Sequence, residues 1–316
     1  MAKRIMIIAA TAWLVACGDD GVAVTDGREL TEHGSQVKYL NVDGFNRSYG
    51  FYIPASVDFK GPSVPVIMVL HGFPPLDMAT VTGLNDAADL DGFIAVYPKA
   101  NAGAEWAMAC DLCSPNAVRG VDDLKYLRIV VADLIQSVPA GPARICLTGF
   151  SNGGIMTYRG ACELTDDIAA FAPIGAGMWT WHVDRCRPGA GVPIMMINGT
   201  DDPQFPWEGT DVPAPLAGGA TQVPILDHVG VWGELNGCSA QLNVVEIEDQ
   251  YDDGTTLKRW SYTRCSAETL FYKIEGGGHT WPSMEEGIDF YPDMGATSFE
   301  LAATDSVVAF LLLQTR

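Results

Sequence analysis

Basic residues are scarce in this chain. Nineteen Lys and Arg stand against 39 Asp and Glu, a formal net charge of −20. Such a chain has no positive field to hold nucleic-acid phosphates or an anionic lipid surface, and it disfavours highly anionic substrates. Beyond residue 16 it also lacks a long apolar run; the stretch 307–313 is far too short to span a bilayer. No Ser/Pro linker, repeat or low-complexity block divides the sequence, so it reads as one large domain. The turns Asp19-Asp20-Gly21 and Asp252-Asp253-Gly254 lack the ligand count of a calcium loop. Cys110-x-x-Cys113 lacks both a thioredoxin-like context and the second ligand pair of a zinc site. Neither a metal nor an organic cofactor is expected.

The N-terminus carries an address. Lys3 and Arg4 precede a short apolar stretch, residues 5–15, which is too short for a mature transmembrane helix and reads as a signal peptide over 1–16. Leu14-Val15-Ala16-Cys17-Gly18 is similar to a bacterial lipobox with cleavage before Cys17, which would then carry the lipid; a plain secretory signal is the alternative. Gly18, rather than Asp, after that cysteine resembles Gram-negative sorting to the outer membrane, with the periplasm or cell surface as the destination. Residues 17–34 are polar and aperiodic, as a lipidated tether should be, and 35–316 is the expected folded domain. Removing 1–16 from 316 leaves 300 residues, and losing Lys3 and Arg4 takes the charge to −22. Contact with a membrane is therefore expected through the lipid anchor only.

Eight cysteines suit an exported chain. Without Cys17 seven remain, enough for three disulfides and one odd thiol, with connectivity open on spacing alone. Cys146 is the expected free thiol, because it lies inside an apolar strand where cysteine behaves as a small hydrophobe.

Asp43-Gly44, between runs 37–42 and 47–54, predicts an antiparallel hairpin. Continuous apolar runs follow at 64–70, 93–97, 145–150, 171–174 and 192–197, the pattern of parallel strands buried on both faces. Helical patterns alternate with them, as over 122–136, where Leu124, Leu127, Val131 and Leu134 share a face. The class is α/β, a mostly parallel central sheet with an N-terminal antiparallel hairpin and flanking helices. Residues 242–275 interrupt it with an antiparallel excursion around Asp253-Gly254 before a last strand, 270–275, and a helix from about Thr304.

Three features then fall beyond strand ends, where α/β sheets place their sites. Gly149-Phe150-Ser151-Asn152-Gly153 follows a strand and opens a helical pattern, which is the form of a nucleophile elbow. An acidic pair, Asp201-Asp202, and then His279 follow in the chain order Ser…Asp…His of the α/β hydrolases. A serine hydroxyl needs a base to take its proton, and the base needs a carboxylate to hold its tautomer. Of the two histidines beyond the acids, His228 lies in a helical pattern and reads as a packing or surface residue. His279 sits in a glycine-rich loop after a strand and reads as the base. Between Asp201 and Asp202 the residues alone do not choose. The oxyanion hole calls for the amide of Asn152 and one from His71-Gly72-Phe73-Pro74-Pro75; the prolines have no N–H, leaving Gly72 or, preferably, Phe73. His71 precedes the serine and is expected to brace this loop. Asp122 and Asp123, at a helix start, read as caps.

The combination of Arg47-Ser48-Tyr49-Gly50-Phe51-Tyr52-Ile53-Pro54, Leu70-His71-Gly72, Trp106, Gly120-Val121-Asp122-Asp123, the elbow extended to Gly154, Asn198-Gly199-Thr200-Asp201-Asp202-Pro203 and Gly277-Gly278-His279-Thr280-Trp281-Pro282 resembles the polyhydroxybutyrate depolymerase and feruloyl-esterase-like branch of the α/β hydrolases. The resemblance covers about residues 37–313. It implies a secreted serine esterase working through an acyl-enzyme on a small or oligomeric ester. It selects Asp202, three places after the glycine of the Gly-Thr segment. With order along the chain, it implies the pairs Cys162–Cys186 and Cys238–Cys265, while Cys110–Cys113 rests on order. The chain departs from that family at Gln204-Phe205-Pro206-Trp207, where a valine and a tyrosine are common. Trp106, Trp207 and Trp281 are candidate substrate-lining residues. Two other readings compete: a small serine peptidase, and a lipoprotein that binds a ligand on a hydrolase scaffold without turnover.

Overall fold

A two-residue turn sets the first register. In the computed structural model, Asp43 and Gly44 take φ values of 51° and 85°, the pair of left-handed conformations that a tight hairpin needs. They join β2 (Gly34–Val42) to β3 (Phe45–Ile53), with Val42 opposite Phe45. The structure describes residues 22–23, 32–103, 105–107, 115–189, 191–211, 221–284 and 293–316.

The remaining strands are β1 (Val22–Ala23), β4 (Val64–Leu70), β5 (Ile94–Pro98), β6 (Ala140–Phe150), β7 (Phe171–Ile174), β8 (Ile194–Gly199), β9 (Leu242–Glu246), β10 (Thr256–Tyr262) and β11 (Thr269–Glu275). They form one sheet in the order β1-β2-β3-β5-β4-β6-β7-β8-β11-β10-β9. From β5 to β11 neighbours run parallel, while β1-β2-β3 and β10-β9 are antiparallel margins. The continuous apolar runs are thereby explained, because the central strands are buried on both faces. Along β4, Val66, Met68 and Leu70 join one core while Ile67 and Val69 join the other, the period of two that a strand imposes.

The helices are α1 (Met78–Thr82), α2 (Leu84–Asp91), α3 (Pro115–Val118), α4 (Asp123–Ser137), α5 (Asn152–Glu163), α6 (Thr180–Arg185), α7 (Ile225–Leu235) and α8 (Ala303–Leu312). Apolar residues of α4, α5 and α7 close one face of the sheet, and those of α1, α2 and α8 the other.

The two acids at the start of α4 part company. Asp122 is the cap, its side chain accepting from the Lys125 amide at 2.9 Å. Asp123 is not a cap. It is fully buried and accepts from Arg47 Nη2 at 2.5 Å and the Ala107 amide at 2.6 Å, while the Arg47 guanidinium also lies 3.7 Å from the Tyr126 ring centre. A helix start that faces a buried arginine uses its acid as a counter-ion.

Cys162–Cys186 and Cys238–Cys265 are disulfides, and Cys146 is free and buried, its thiol pushed up to about 12 by burial. Two bridges of this kind suit an oxidising compartment. Cys17, Cys110 and Cys113 lie outside the described residues, as do residues 1–16 and most of 17–34. Among the described residues no helix is long and apolar enough to cross a membrane.

Candidate active site

β6 ends at Phe150 and α5 begins at Asn152, leaving Ser151 alone in the turn with φ 57° and ψ −120°. A non-glycine residue held there is strained, and the surroundings enforce it. The Ser151 amide donates to Ile174 O at 3.0 Å, and its carbonyl accepts from the Ile155 amide at 3.0 Å. The flanking glycines are dictated by space: a Cβ on Gly153 would lie 2.3 Å from Leu70 O.

His279 enters from the end of β11 through residues 276–278, and its amide donates to Met294 O at 2.6 Å. A Cβ on Gly278 would stand 2.1 Å from that same carbonyl, so the loop closes only without a side chain. The ring spans Ser151 and the acid: Nε2 is 2.9 Å from Ser151 Oγ, and Nδ1 is 2.7 Å from Asp202 Oδ2. A carboxylate only accepts, so Nδ1–H is the donor and Nε2 of the neutral ring faces the hydroxyl as acceptor. Asp202, 3% exposed beyond β8, is fixed through its other oxygen, which accepts from the amides of Gln204 at 2.7 Å and Phe205 at 2.8 Å. Asp201 is exposed and accepts from Thr200 Oγ1. The structure thus brings Asp202, and not Asp201, to the imidazole.

The loop before the cleft approaches the serine through bare backbone, since a Cβ on Gly72 would be 3.2 Å from Ser151 Cβ. Asn152 stands at the first position of α5, where an amide has no partner within the helix, and its side chain accepts from the Trp106 amide at 3.0 Å. His71 lies under the loop. Its Nδ1–H donates to Gly72 O at 2.7 Å, and Nε2 accepts from the Ala100 amide at 3.0 Å. Burial holds its pKa below the usual histidine range, which keeps this neutral tautomer in place.

The tryptophans lie elsewhere than expected. Trp106 is fully buried, donating through Nε1 to His71 O at 2.9 Å and packing 5.0 Å from that ring. Trp281 is 2% exposed, bonded to Thr304 Oγ1 and set edge-on to Phe150. Trp207 packs against Phe271 beneath the Lys273 ammonium. None of the three lines the cavity of about 330 Å³ that opens on Ser151 and His279; Phe73, Leu76, Phe150, Gln204 and Met294 do. Trp106 and Trp281, whose indole N–H groups are committed to an interior carbonyl and hydroxyl, serve packing. His228 is likewise interior, fully buried with Nε2 3.0 Å from the Tyr158 hydroxyl. Phe150 and Phe205 were overlooked by sequence reasoning although both adjoin its motifs. Among the described residues, no group of His, Cys, Asp and Glu has the arrangement of a metal site.

No protein-family model matches the chain. It is 26% identical over 298 residues to "Putative esterase NocK" of Nocardia uniformis subsp. tsuyamanensis, covering 90% of this chain and 85% of that one. It is 26% identical over 171 residues to feruloyl esterase B of Piromyces equi, covering 54% of this chain and 31% of that protein, so it spans about a third of that relative's length. Among solved structures, the acetyl xylan esterase from Aspergillus awamori superposes with a TM-score of 0.57 at 13% identity, over 87% of this chain and 98% of that one; this likeness speaks for the fold. The parallel sheet with its antiparallel hairpin and flanking helices is an α/β-hydrolase fold, and in sequence the chain is similar to esterases.

Proposed function

We propose that the chain hydrolyses carboxylic esters through an acyl-enzyme on Ser151. The observation that carries this reading is the unbroken hydrogen-bonded relay from Ser151 Oγ through His279 to Asp202, at 2.9 and 2.7 Å. Oγ attacks the acyl carbon as its proton passes to His279 Nε2, and Asp202 stabilises the resulting imidazolium from the other edge. The carbonyl oxygen takes up negative charge beside the amides of Asn152 and Phe73. The tetrahedral intermediate collapses, and the imidazolium gives its proton to the departing alcohol. Water, deprotonated by the same imidazole, then releases the acid and restores the serine.

The walls bear on substrate. Phe73, Leu76, Phe150 and Met294 present an apolar lining suited to an aliphatic or aromatic acyl group. A second cavity, of about 670 Å³, shares Leu76 with the first and is edged by Asn46, Ser48, Asp77 and Lys99, a mixture of donors and acceptors suited to a hydroxyl-rich alcohol. The names of the feruloyl and acetyl xylan esterase relatives point the same way. In this reading residues 35–316 are the catalytic domain, 1–16 the signal peptide and 17–34 a tether lipidated at Cys17; retention of Cys17→Ala in the membrane fraction would overturn the lipid.

The test is an assay of the chain lacking residues 1–16 on short nitrophenyl esters, methyl ferulate and a hydroxybutyrate oligomer, beside Ser151→Ala. Hydrolysis abolished by the substitution is expected, with the ranking of esters defining specificity. Hydrolysis that survives it excludes Ser151 as nucleophile.

A further inference from the structure

His279 hangs on three consecutive glycines, a backbone with little stiffness of its own. Its imidazole nevertheless stacks with two phenyl rings. The Phe150 ring centre is 4.8 Å away at an interplanar angle of 28°, and the Phe205 centre is 5.5 Å away at 29°. All three side chains are buried. Each phenylalanine is also tied to another member of the relay: Phe150 immediately precedes Ser151, and the Phe205 amide donates to Asp202 Oδ1 at 2.8 Å.

We propose that Phe150 and Phe205 are positioning residues, an aromatic clamp that fixes the plane of His279 and favours its protonated form as the reaction proceeds. The proposal rests on the reading of Ser151, His279 and Asp202 given above. Two polar edges of the ring are committed, one to the hydroxyl and one to the carboxylate. The ring itself stacks with two π surfaces, which attract a cation more than a neutral ring; interactions of this kind shift an equilibrium about two- to thirtyfold. Because the imidazolium exists only after proton transfer, this attraction is greater in the transition state than in the resting enzyme, the condition for acceleration.

The neighbouring elements are built for this closure. Gly175, at the end of β7 with φ 53°, lies beside both rings: a Cβ there would be 2.8 Å from Phe150 Cε2 and 3.5 Å from His279 Nδ1. The charged group that meets the imidazole is Asp202, at 2.7 Å from Nδ1.

Phe205 does not line the cleft, which makes it the decisive position. Phe205→Leu keeps an apolar side chain but removes the π face; Phe205→Tyr keeps the ring. Both, with Ser151→Ala, should be assayed on a short nitrophenyl ester as a function of pH, with thermal unfolding measured alongside. For Phe205→Leu, kcat should fall about fivefold with KM within about twofold. Phe205→Tyr should restore kcat. If Phe205→Leu fails to fold, Phe205→Met takes its place in the same comparison. A folded ring-less variant with unchanged kcat, beside an inactive Ser151→Ala, overturns the clamp and leaves the relay standing. Activity in Ser151→Ala would instead overturn the relay itself.

Discussion

A Cβ placed on Gly149 would stand 2.4 Å from the carbonyl oxygen of Gly153. The two glycines of the elbow touch through bare backbone, and this contact lets the strand turn into α5 within one residue. Gly149→Ala must push β6 from α5, and Gly153→Ala must push α5 from Leu70. Each should cost about 1–3 kcal/mol or more in urea unfolding and displace Ser151 from His279, with activity falling further than stability. Gly230→Ala in α7 is the control, since a Cβ there meets nothing within 4 Å. It should stabilise by about 0.5–1 kcal/mol through helix propensity. Tolerance of alanine at 149 would mean that the elbow is looser than its geometry.

The acidic pair allows a sharp comparison. Asp202→Asn keeps the size of the side chain but removes the charge that holds Nδ1–H toward it. kcat should fall by about a thousandfold or more, as expected when the base loses its orienting carboxylate. Asp201→Asn, on the exposed side, should stay within about twofold of wild type. Equal effects at the two positions would count against the assignment of the acid.

Strand runs and elbow were legible because their causes are local. Apolar continuity reports burial on both faces, and Gly149-x-Ser151-x-Gly153 reports a turn without room for Cβ atoms. The tryptophans were misread because residue type does not tell which way a side chain faces. Trp106 near the oxyanion loop and Trp281 two residues after the base are close to the chemistry in sequence, yet their indoles point inward to His71 and Thr304. Asp123 was misread for a related reason. Its partner Arg47 is 76 positions away, so nothing in the helix-start pattern separates it from Asp122. The stacking of His279 with Phe150 and Phe205 joins three segments, and only the sheet order brings them together.

The Arg47–Asp123 pair makes its own forecast. Both side chains are at most 1% exposed, so removing either partner leaves a buried uncompensated charge. Arg47→Met or Asp123→Leu alone should cost about 3–5 kcal/mol, whereas the double variant should cost much less than the two together, since an apolar pair of similar volume has no charge to desolvate. Chemical denaturation of all four proteins measures the coupling. Strict additivity would show that the pair is not electrostatically linked.

His228 predicts a pH dependence separate from catalysis. It is fully buried against the Tyr158 hydroxyl, and burial lowers its pKa from 6.5 to about 3. In the unfolded chain it titrates near 6.5, so below that pH the unfolded state binds a proton that the folded state refuses. Stability contributed by the neutral ring is therefore complete above pH 6.5 and declines as the pH falls toward 3, at a limiting slope of about 1.4 kcal/mol per pH unit. Between pH 6.5 and 5, before most carboxylates titrate, the loss should approach about 2 kcal/mol. His228→Gln retains a hydrogen-bonding group for Tyr158 but cannot titrate. Urea unfolding at pH 7, 6 and 5 should give a flatter profile for this variant than for wild type, even where its stability at pH 7 is lower. Parallel profiles would place the acid sensitivity in other groups and show that His228 accepts its proton in the folded protein.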